Sequence, residues 1–342
     1  MKLTIDRNDL AVAVVFAAQG CGRSSTYGGI LLTSGPEGIW LQGSDGLVSF
    51  RSTVPGCYAE GRILLPGVFA QVVPGLTGEG VSLSLDGNQM TVTCGRSKYM
   101  LPVLPADQYP VHLPELLPIR GGVDGEELAL ALKRLLPAVD RTGRTGTPVL
   151  SGIQLSQGDQ LILLATDKYV LSRATCRFSA TDVKAPVVIL PASVAARLTR
   201  LTGDVTLAWG ENLIQVAGDS GSVTTRSLAG KFPAWTYPHL ENWTRIGPDF
   251  LPAVKRAAVT GAVSLTFGDD LLVESAGETG SFAETVGFGY AGNARFVLGS
   301  QMLLDGLAGC TGNAEIGFTE PGKAVYLRDD NFLWACQPRR ET

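Results

Sequence analysis

Long apolar runs, histidines and paired cysteines are all scarce in this chain, and each shortage removes a class of protein. No apolar run approaches 18 residues, so no segment reads as a membrane-spanning helix. The first residues, Met1 to Asp6, lack the charged-then-apolar pattern of a secretory signal, and the expected compartment is the cytoplasm. Only two histidines occur, His112 and His239, too few and too isolated for a two-histidine metal motif. The six cysteines (Cys21, Cys57, Cys94, Cys176, Cys310 and Cys336) include no Cys-x-x-Cys pair, which argues against zinc and against a disulfide framework. Most of them read as small buried hydrophobes. A Gly-x-x-x-x-Gly-Lys-Ser/Thr phosphate loop and a carboxylate cluster with metal spacing are also missing. One fragment, Gly218-Asp219-Ser220-Gly221-Ser222, resembles the nucleophile loop of chymotrypsin-like proteases, but neither histidine stands in the setting its base requires. It reads instead as the turn of a hairpin between strands Leu213–Val216 and Ser222–Arg226. No catalysis and no cofactor are expected.

What is present is a chain of 342 residues, 45% apolar and 18% charged, long enough for two or three domains with real cores. Lys and Arg number 28 against 32 Asp and Glu, a net charge of −4, so any basic surface must be local. The 42 glycines and 19 prolines stand singly between short apolar runs, the punctuation of many short strands. A long-period repeat emerges from them. The segments starting at Gly61, Pro186 and Arg295 share one order: strand, helix, glycine turn, hairpin, strand. Leu65, Leu190 and Leu298 hold equivalent positions, 125 and 108 residues apart. Upstream of each segment a short amphipathic helix begins, near Asp9-Leu10, Glu127-Leu128 and Asp249-Phe250. In the second of these, Leu128, Leu132, Leu135 and Leu136 fall on one helical face and are expected in the core. A strand then ends in a hydroxyl-Asp turn, Ser44-Asp45 in the first copy and Thr166-Asp167 in the second; the third has lost the Asp. The fold class expected is α+β, in three tandem domains over 1–118, 119–240 and 241–342, with proline-bearing linkers near Pro118 and Glu241.

Specific motifs accompany the repeat. Gly95-Arg96-Ser97-Lys98-Tyr99, followed by Leu104-Pro105-Ala106-Asp107-Gln108-Tyr109-Pro110, resembles the end of the first domain of the bacterial DNA sliding clamp, the β subunit of DNA polymerase III. Ala165-Thr166-Asp167-Lys168-Tyr169-Val170-Leu171, Ala229-Gly230-Lys231-Phe232-Pro233, Thr147-Pro148-Val149-Leu150-Ser151-Gly152 and the terminal Gln337-Pro338-Arg339-Arg340 are similar to further clamp segments. The resemblance covers essentially the whole chain. It departs at Lys168, where the family usually has glycine, at Tyr169-Val170, usually His-Arg, and at Gln337, usually methionine. The third domain is shorter than the family's, so its early strands are expected to be abbreviated or differently arranged.

The resemblance implies a head-to-tail homodimer closed into a ring of clamp-type domains around duplex DNA, with helices lining the hole. Such helices need a mildly basic face, because phosphate contacts carry no sequence information and tight ones would stall sliding. Lys133-Arg134 and Lys255-Arg256 recur at the same offset from the helix starts, while the first repeat has Val15-Phe16 there. Arg197 and Arg200 are expected on one face of the next helix of the second domain. Arg23, Arg141 and Arg144 fall in the loops between first helix and strand, where glycines leave guanidinium groups free to reach phosphate. The alternative for all of these is a solvated surface face.

A second surface implied by the resemblance is a pocket between domains 2 and 3 that grips a short linear motif of DNA polymerase, the clamp loader and other partners. Its wall, carried over residue by residue, is Leu150, Thr166, Lys168, Tyr169, Val170, Leu171, Pro233, Tyr237, Ala335, Gln337 and Pro338. Plain domain core is the competing reading for Leu150, Leu171 and Ala335. The long side chain of Lys168 is expected to crowd or charge the rim. Two rivals stay open: a specialised paralogue, phage-borne or accessory, with altered partner or inhibitor binding, and a three-domain adaptor that never forms a ring.

Overall fold

The computed structural model describes every residue except 1, 23–27, 108, 110–116, 182–184, 237–239, 241–242, 288–292, 321 and 340–342. One element order, β-α-β-β-β-β-α-β-β-β, occurs three times. The first copy is β1 (Lys2–Asp6), α1 (Arg7–Ala18), β2 (Gly29–Gly35), β3 (Gly38–Ser44), β4 (Val48–Val54), β5 (Gly61–Pro66), α2 (Phe69–Val72), β6 (Gly80–Asp86), β7 (Gln89–Cys94) and β8 (Ser97–Pro102). The second is β9 (Ile119–Asp124), α3 (Gly125–Leu135), β10 (Gly152–Gln157), β11 (Gln160–Thr166), β12 (Val170–Arg177), a two-residue β13 (Ser179–Ala180), β14 (Val188–Pro191), α4 (Ala192–Ala195), β15 (Asp204–Trp209), β16 (Leu213–Gly218) and β17 (Gly221–Arg226). The third is β18 (Thr244–Arg245), α5 (Phe250–Ala257), β19 (Val263–Phe267), β20 (Leu271–Gly277), β21 (Gly280–Val286), β22 (Ala294–Leu298), α6 (Ser300–Gly309), β23 (Glu315–Phe318), β24 (Val325–Arg328) and β25 (Phe332–Cys336).

Packing does not follow these repeats one by one. Two compact units form, and the second repeat is divided between them. In the first unit, β9-β15-β16-β17 continues edge to edge into β4-β3-β2-β5, and a separate sheet has the order β1-β6-β7-β8. In the second unit, β14-β10-β11-β12 continues into β25-β24-β23-β18, beside a four-stranded sheet β21-β20-β19-β22. All these ladders are antiparallel, so each strand offers one face to the core and one outward.

The core forms where the apolar spacing demands. Leu128, Leu132, Leu135 and Leu136 are all buried, each contributing roughly 1.5–3 kcal/mol relative to exposure. In the first unit Leu10, Val14 and Ala17 of α1 pack with Ile30, Leu32, Leu65 and Phe69 in one cluster. The Gly218–Arg226 region is the hairpin read from the sequence, with Gly218 paired to Gly221. Ser220 sits in the turn, where its carbonyl accepts the Ser52 hydroxyl at 2.6 Å. Burial raises the thiols of Cys21 to about 11 and of Cys310 and Cys336 to about 12, so these three are inert at neutral pH.

Two expectations are corrected. The third repeat keeps its early strands, and β22-β19-β20-β21 has the order of β14-β10-β11-β12; its shortening lies in the link from α5 to β19, Ala258 to Ala262. The helix meant to carry Arg197 and Arg200 ends at Ala195. Past it the backbone tightens into three-residue turns, Leu198 N to Ala195 O at 3.0 Å and Leu201 N to Leu198 O at 3.3 Å. The Thr199 hydroxyl takes the Ala196 carbonyl at 2.9 Å, the acceptor a continuing helix would offer to the amide of residue 200.

Candidate functional site

Strand register in the second unit builds an apolar pocket on one face of the eight-stranded sheet. Thr166 of β11 stands opposite Leu171 of β12, Leu171 opposite Ala335 of β25, and Ala335 opposite Tyr326 of β24. Because alternate residues share a face, these four form a row. Phe232, Pro233 and Trp235, from the segment after β17, wall a cavity of about 210 Å³ over it. Of the lining residues, Leu164 and Phe232 belong to a buried cluster with Val149, Leu150 and Ile189. Leu150, fully buried, therefore supports the floor and does not line the cavity. Thr166, Lys168, Tyr169, Val170, Leu171, Pro233, Ala335 and Gln337 do line it. Pro338 lines an adjoining cavity together with Lys168, Tyr169 and Gln337. Tyr237 lies outside the described residues. Phe232, Trp235 and Tyr326 were not foreseen as lining residues; Phe232 was visible in the Lys231-Phe232-Pro233 motif, whereas Tyr326 enters only through the pairing of β24 with β25.

The turn at the rim is built by hydrogen bonds. Asp167 Oδ1 accepts the amides of Tyr169 and Val170 at 2.9 and 2.8 Å, and the Thr166 hydroxyl donates to the Val170 carbonyl at 2.6 Å. Lys168 at its apex has φ 76°, and its Nζ donates to the Thr145 carbonyl at 2.9 Å. The side chain thus arches toward the loop after α3. That loop is gathered by Asp140, whose carboxylate accepts the amides of Thr142, Arg144 and Thr145 at 3.2, 3.2 and 2.9 Å. Hydrogen bonds from Thr145 first, and from Thr142 and Arg144, hold the Asp140 carboxyl well below the usual carboxylate range.

The basic residues separate into distinct environments. Lys133, Arg141, Arg197, Arg200 and Lys255 are exposed. Arg134 is not: it is buried, with Asn331 Oδ1 at 2.9 Å, the Thr311 hydroxyl at 2.7 Å and Asp329 at 3.2 Å. Its guanidinium also lies 5.3 Å from the Phe332 ring centroid. A group so enclosed cannot reach a phosphate, and it leaves the DNA-facing set. Its repeat counterpart Arg256 is on the surface but forms two parallel bonds to Glu284, at 2.9 and 2.6 Å. Arg144, also exposed, has Nη2 3.4 Å from Asp167 and lines the cavity beside the apolar pocket. Arg23 lies outside the described residues. Among the described residues no group of three or more His, Cys, Asp or Glu side chains is arranged to hold a metal, and no helix is long and apolar enough to cross a membrane.

Comparison with known proteins gives this arrangement its relatives. Residues 1–114 match the DNA polymerase III beta subunit N-terminal domain family, and residues 123–234 match the central domain family of the same subunit. The beta sliding clamp of Streptomyces coelicolor is 31% identical, over 96% of this chain and 93% of its own length. A beta sliding clamp homolog, GriR, of Streptomyces muensis is 26% identical over 96% of this chain and 94% of its own length. In fold, the chain is similar to the solved DNA polymerase sliding clamp of Bacillus subtilis, with a TM-score of 0.90, 21% identity and full coverage of both chains. It is also similar to the Pseudomonas aeruginosa DNA polymerase III beta subunit solved bound to griselimycin, with a TM-score of 0.89, 20% identity and full coverage of both. Three repeats of one α+β unit, two family matches in tandem and a relative at 31% identity converge: the chain belongs to the bacterial beta sliding clamp family, the beta subunits of DNA polymerase III.

Proposed function

We propose that the chain forms a head-to-tail dimeric ring that encircles duplex DNA, and that the apolar pocket tethers DNA polymerase, and the clamp loader in turn, through short linear motifs. The domains of the ring are residues 1–118, 119–240 and 241–342. The role is non-catalytic and cytoplasmic, and residence on DNA comes from topology: a closed ring leaves only by opening or by running off an end. The observation that carries the reading is the row Thr166, Leu171, Ala335 and Tyr326, an apolar trough walled by Phe232, Pro233 and Trp235. Apolar anchors dominate sites of that kind. The exposed cations Lys133, Arg141, Arg197, Arg200 and Lys255 supply weak phosphate contacts without base readout. Retention after loading on circular and on linearised DNA tests the ring: the protein should stay on circles and be lost from linear duplex, and equal loss from both would end the encircling mechanism. A specialised paralogue with its own partner is the second reading, favoured by Lys168 at a left-handed turn on the pocket rim.

A further inference from the structure

Two residues along β12, β25 and β24 from the trough, on the same face of the sheet, stand Arg173, Leu333 and Arg328. Strand register carries this second row on through Glu315 of β23 to Arg245 of β18. Together with Asp329, Asp330 and Asn331 of the turn between β24 and β25, the row lines a cavity of about 440 Å³, a volume usual for small-molecule sites. That cavity shares no described lining residue with the apolar pocket or with the cavity adjoining it.

Three arginines and three carboxylates line it, and two of the carboxylates are already engaged. Glu315 Oε2 accepts Arg328 Nε at 2.6 Å, and Asp329 is held by the buried Arg134, which is not a lining residue. One positive charge is therefore in excess. The Arg328 guanidinium is fixed in place, because its carbon lies 4.0 Å from the Trp243 ring centroid while Nε is tied to Glu315. Its two terminal nitrogens have no hydrogen-bond partner among the described residues. Arg245 bonds only Asn313 Oδ1 among the described residues, a neutral acceptor that leaves its charge uncancelled. A held guanidinium edge with open donors matches the paired oxygens of a phosphate or carboxylate. The third carboxylate, Asp330, is exposed and has no partner among the described residues. An ionised carboxylate only accepts hydrogen bonds, so Asp330 calls for a hydroxyl or an ammonium group.

We infer that this cavity binds a small organic anion, a phosphate or carboxylate that also carries hydroxyl or amino groups. Arg245 and Arg328 take the anionic end, and Asp330 takes the donor groups. The site is separate from the apolar trough and does not depend on what the trough holds.

Calorimetric titration at low salt with inorganic phosphate, glycerol 3-phosphate and glycerol tests this, with tryptophan emission read in parallel because Trp243 packs on Arg328. Glycerol 3-phosphate should bind saturably and severalfold tighter than inorganic phosphate, and glycerol should not bind measurably. The accompanying change in emission should vanish in Trp243→Phe. Arg245→Gln, which breaks no ion pair and is shown folded by circular dichroism, should weaken glycerol 3-phosphate by about tenfold, the loss of one charge-assisted contact. Asp330→Asn should bring glycerol 3-phosphate and inorganic phosphate to similar affinity. If neither anion binds the folded parent, or if Arg245→Gln binds both as tightly as the parent does, the site is overturned. Saturable binding that leaves the emission of Trp243 unchanged would place the anion elsewhere and overturn it equally. If glycerol 3-phosphate binds no tighter than inorganic phosphate, the role given to Asp330 is overturned.

Discussion

Lys168 is the one described residue other than glycine with positive φ. Its counterpart in the first repeat is Gly46, φ 89°, inside the same hydrogen-bonded turn. There Asp45 Oδ1 accepts the amides of Leu47 and Val48, both at 2.9 Å, and the Ser44 hydroxyl donates to the Val48 carbonyl at 3.0 Å. The hydroxyl-Asp pair thus dictates a left-handed apex in both repeats, which is why glycine suits the position. An L-residue there costs about 1–2 kcal/mol, offset in part by the bond from Nζ to Thr145. Lys168→Val, β-branched and least tolerant of positive φ, should therefore destabilise the protein by about 1–3 kcal/mol. Lys168→Gly should stay within about 1 kcal/mol of the parent, since strain relief opposes the greater flexibility of the unfolded chain. Urea unfolding compares the three, and a valine variant as stable as the parent would mean the turn is not held left-handed in solution.

At the scale of elements, equivalent sequence positions acquire different roles from what packs against them. Lys133-Arg134 and Lys255-Arg256 share an offset, but Asp329, Asn331 and Thr311 close around Arg134, while α5 leaves Arg256 to a surface pair with Glu284. Removing one partner of the buried Arg134–Asp329 pair would strand a charge in a low-dielectric setting, at about 3–5 kcal/mol. The loop after α3 is likewise an element built around one group, the Asp140 carboxylate. Its folded pKa is depressed, so its contribution to stability is complete above the unfolded value near 3.9 and is lost only as pH falls through the lower folded value. In a carboxyl-detected NMR titration the Asp140 signal should remain that of an ionised group down to about pH 3, where ordinary aspartates are mostly protonated. A midpoint near the ordinary value would show that the loop amides do not hold it.

At the scale of the whole molecule, each unit has a four-stranded sheet with an open edge. β8 ends the order β1-β6-β7-β8 with Tyr99 44% and Met100 55% exposed, and β21 ends its own sheet in the third repeat. Open strand edges invite pairing with another chain, and a head-to-tail dimer would join the first repeat of one copy to the third of the next. Light scattering at micromolar concentration should give twice the 36.0 kDa of the chain. The Tyr99→Asp/Met100→Asp double variant should shift the population to monomer without loss of helix signal. A parent protein that is purely monomeric would leave the non-ring adaptor as the better account.

The threefold repeat, the helix faces and the hairpins were legible along the chain because they rest on local rules: apolar periodicity, glycine and proline punctuation, and hydroxyl-Asp turns. Leu128, Leu132, Leu135 and Leu136 had to share a face whatever the rest of the molecule did, and Leu65, Leu190 and Leu298 marked the same strand three times. The pocket was half legible: Leu171, Pro233 and Ala335 followed from clamp-like motifs, but Tyr326 joins them only through the register of β24 on β25. Long-range encounters decided the remainder. Burial took Arg134 out of the surface, and the joining of β12 to β25 and of β17 to β4 distributed the second repeat between two compact units. Periodicity tells each residue which way to face; which partner waits on that side is settled only when distant strands meet.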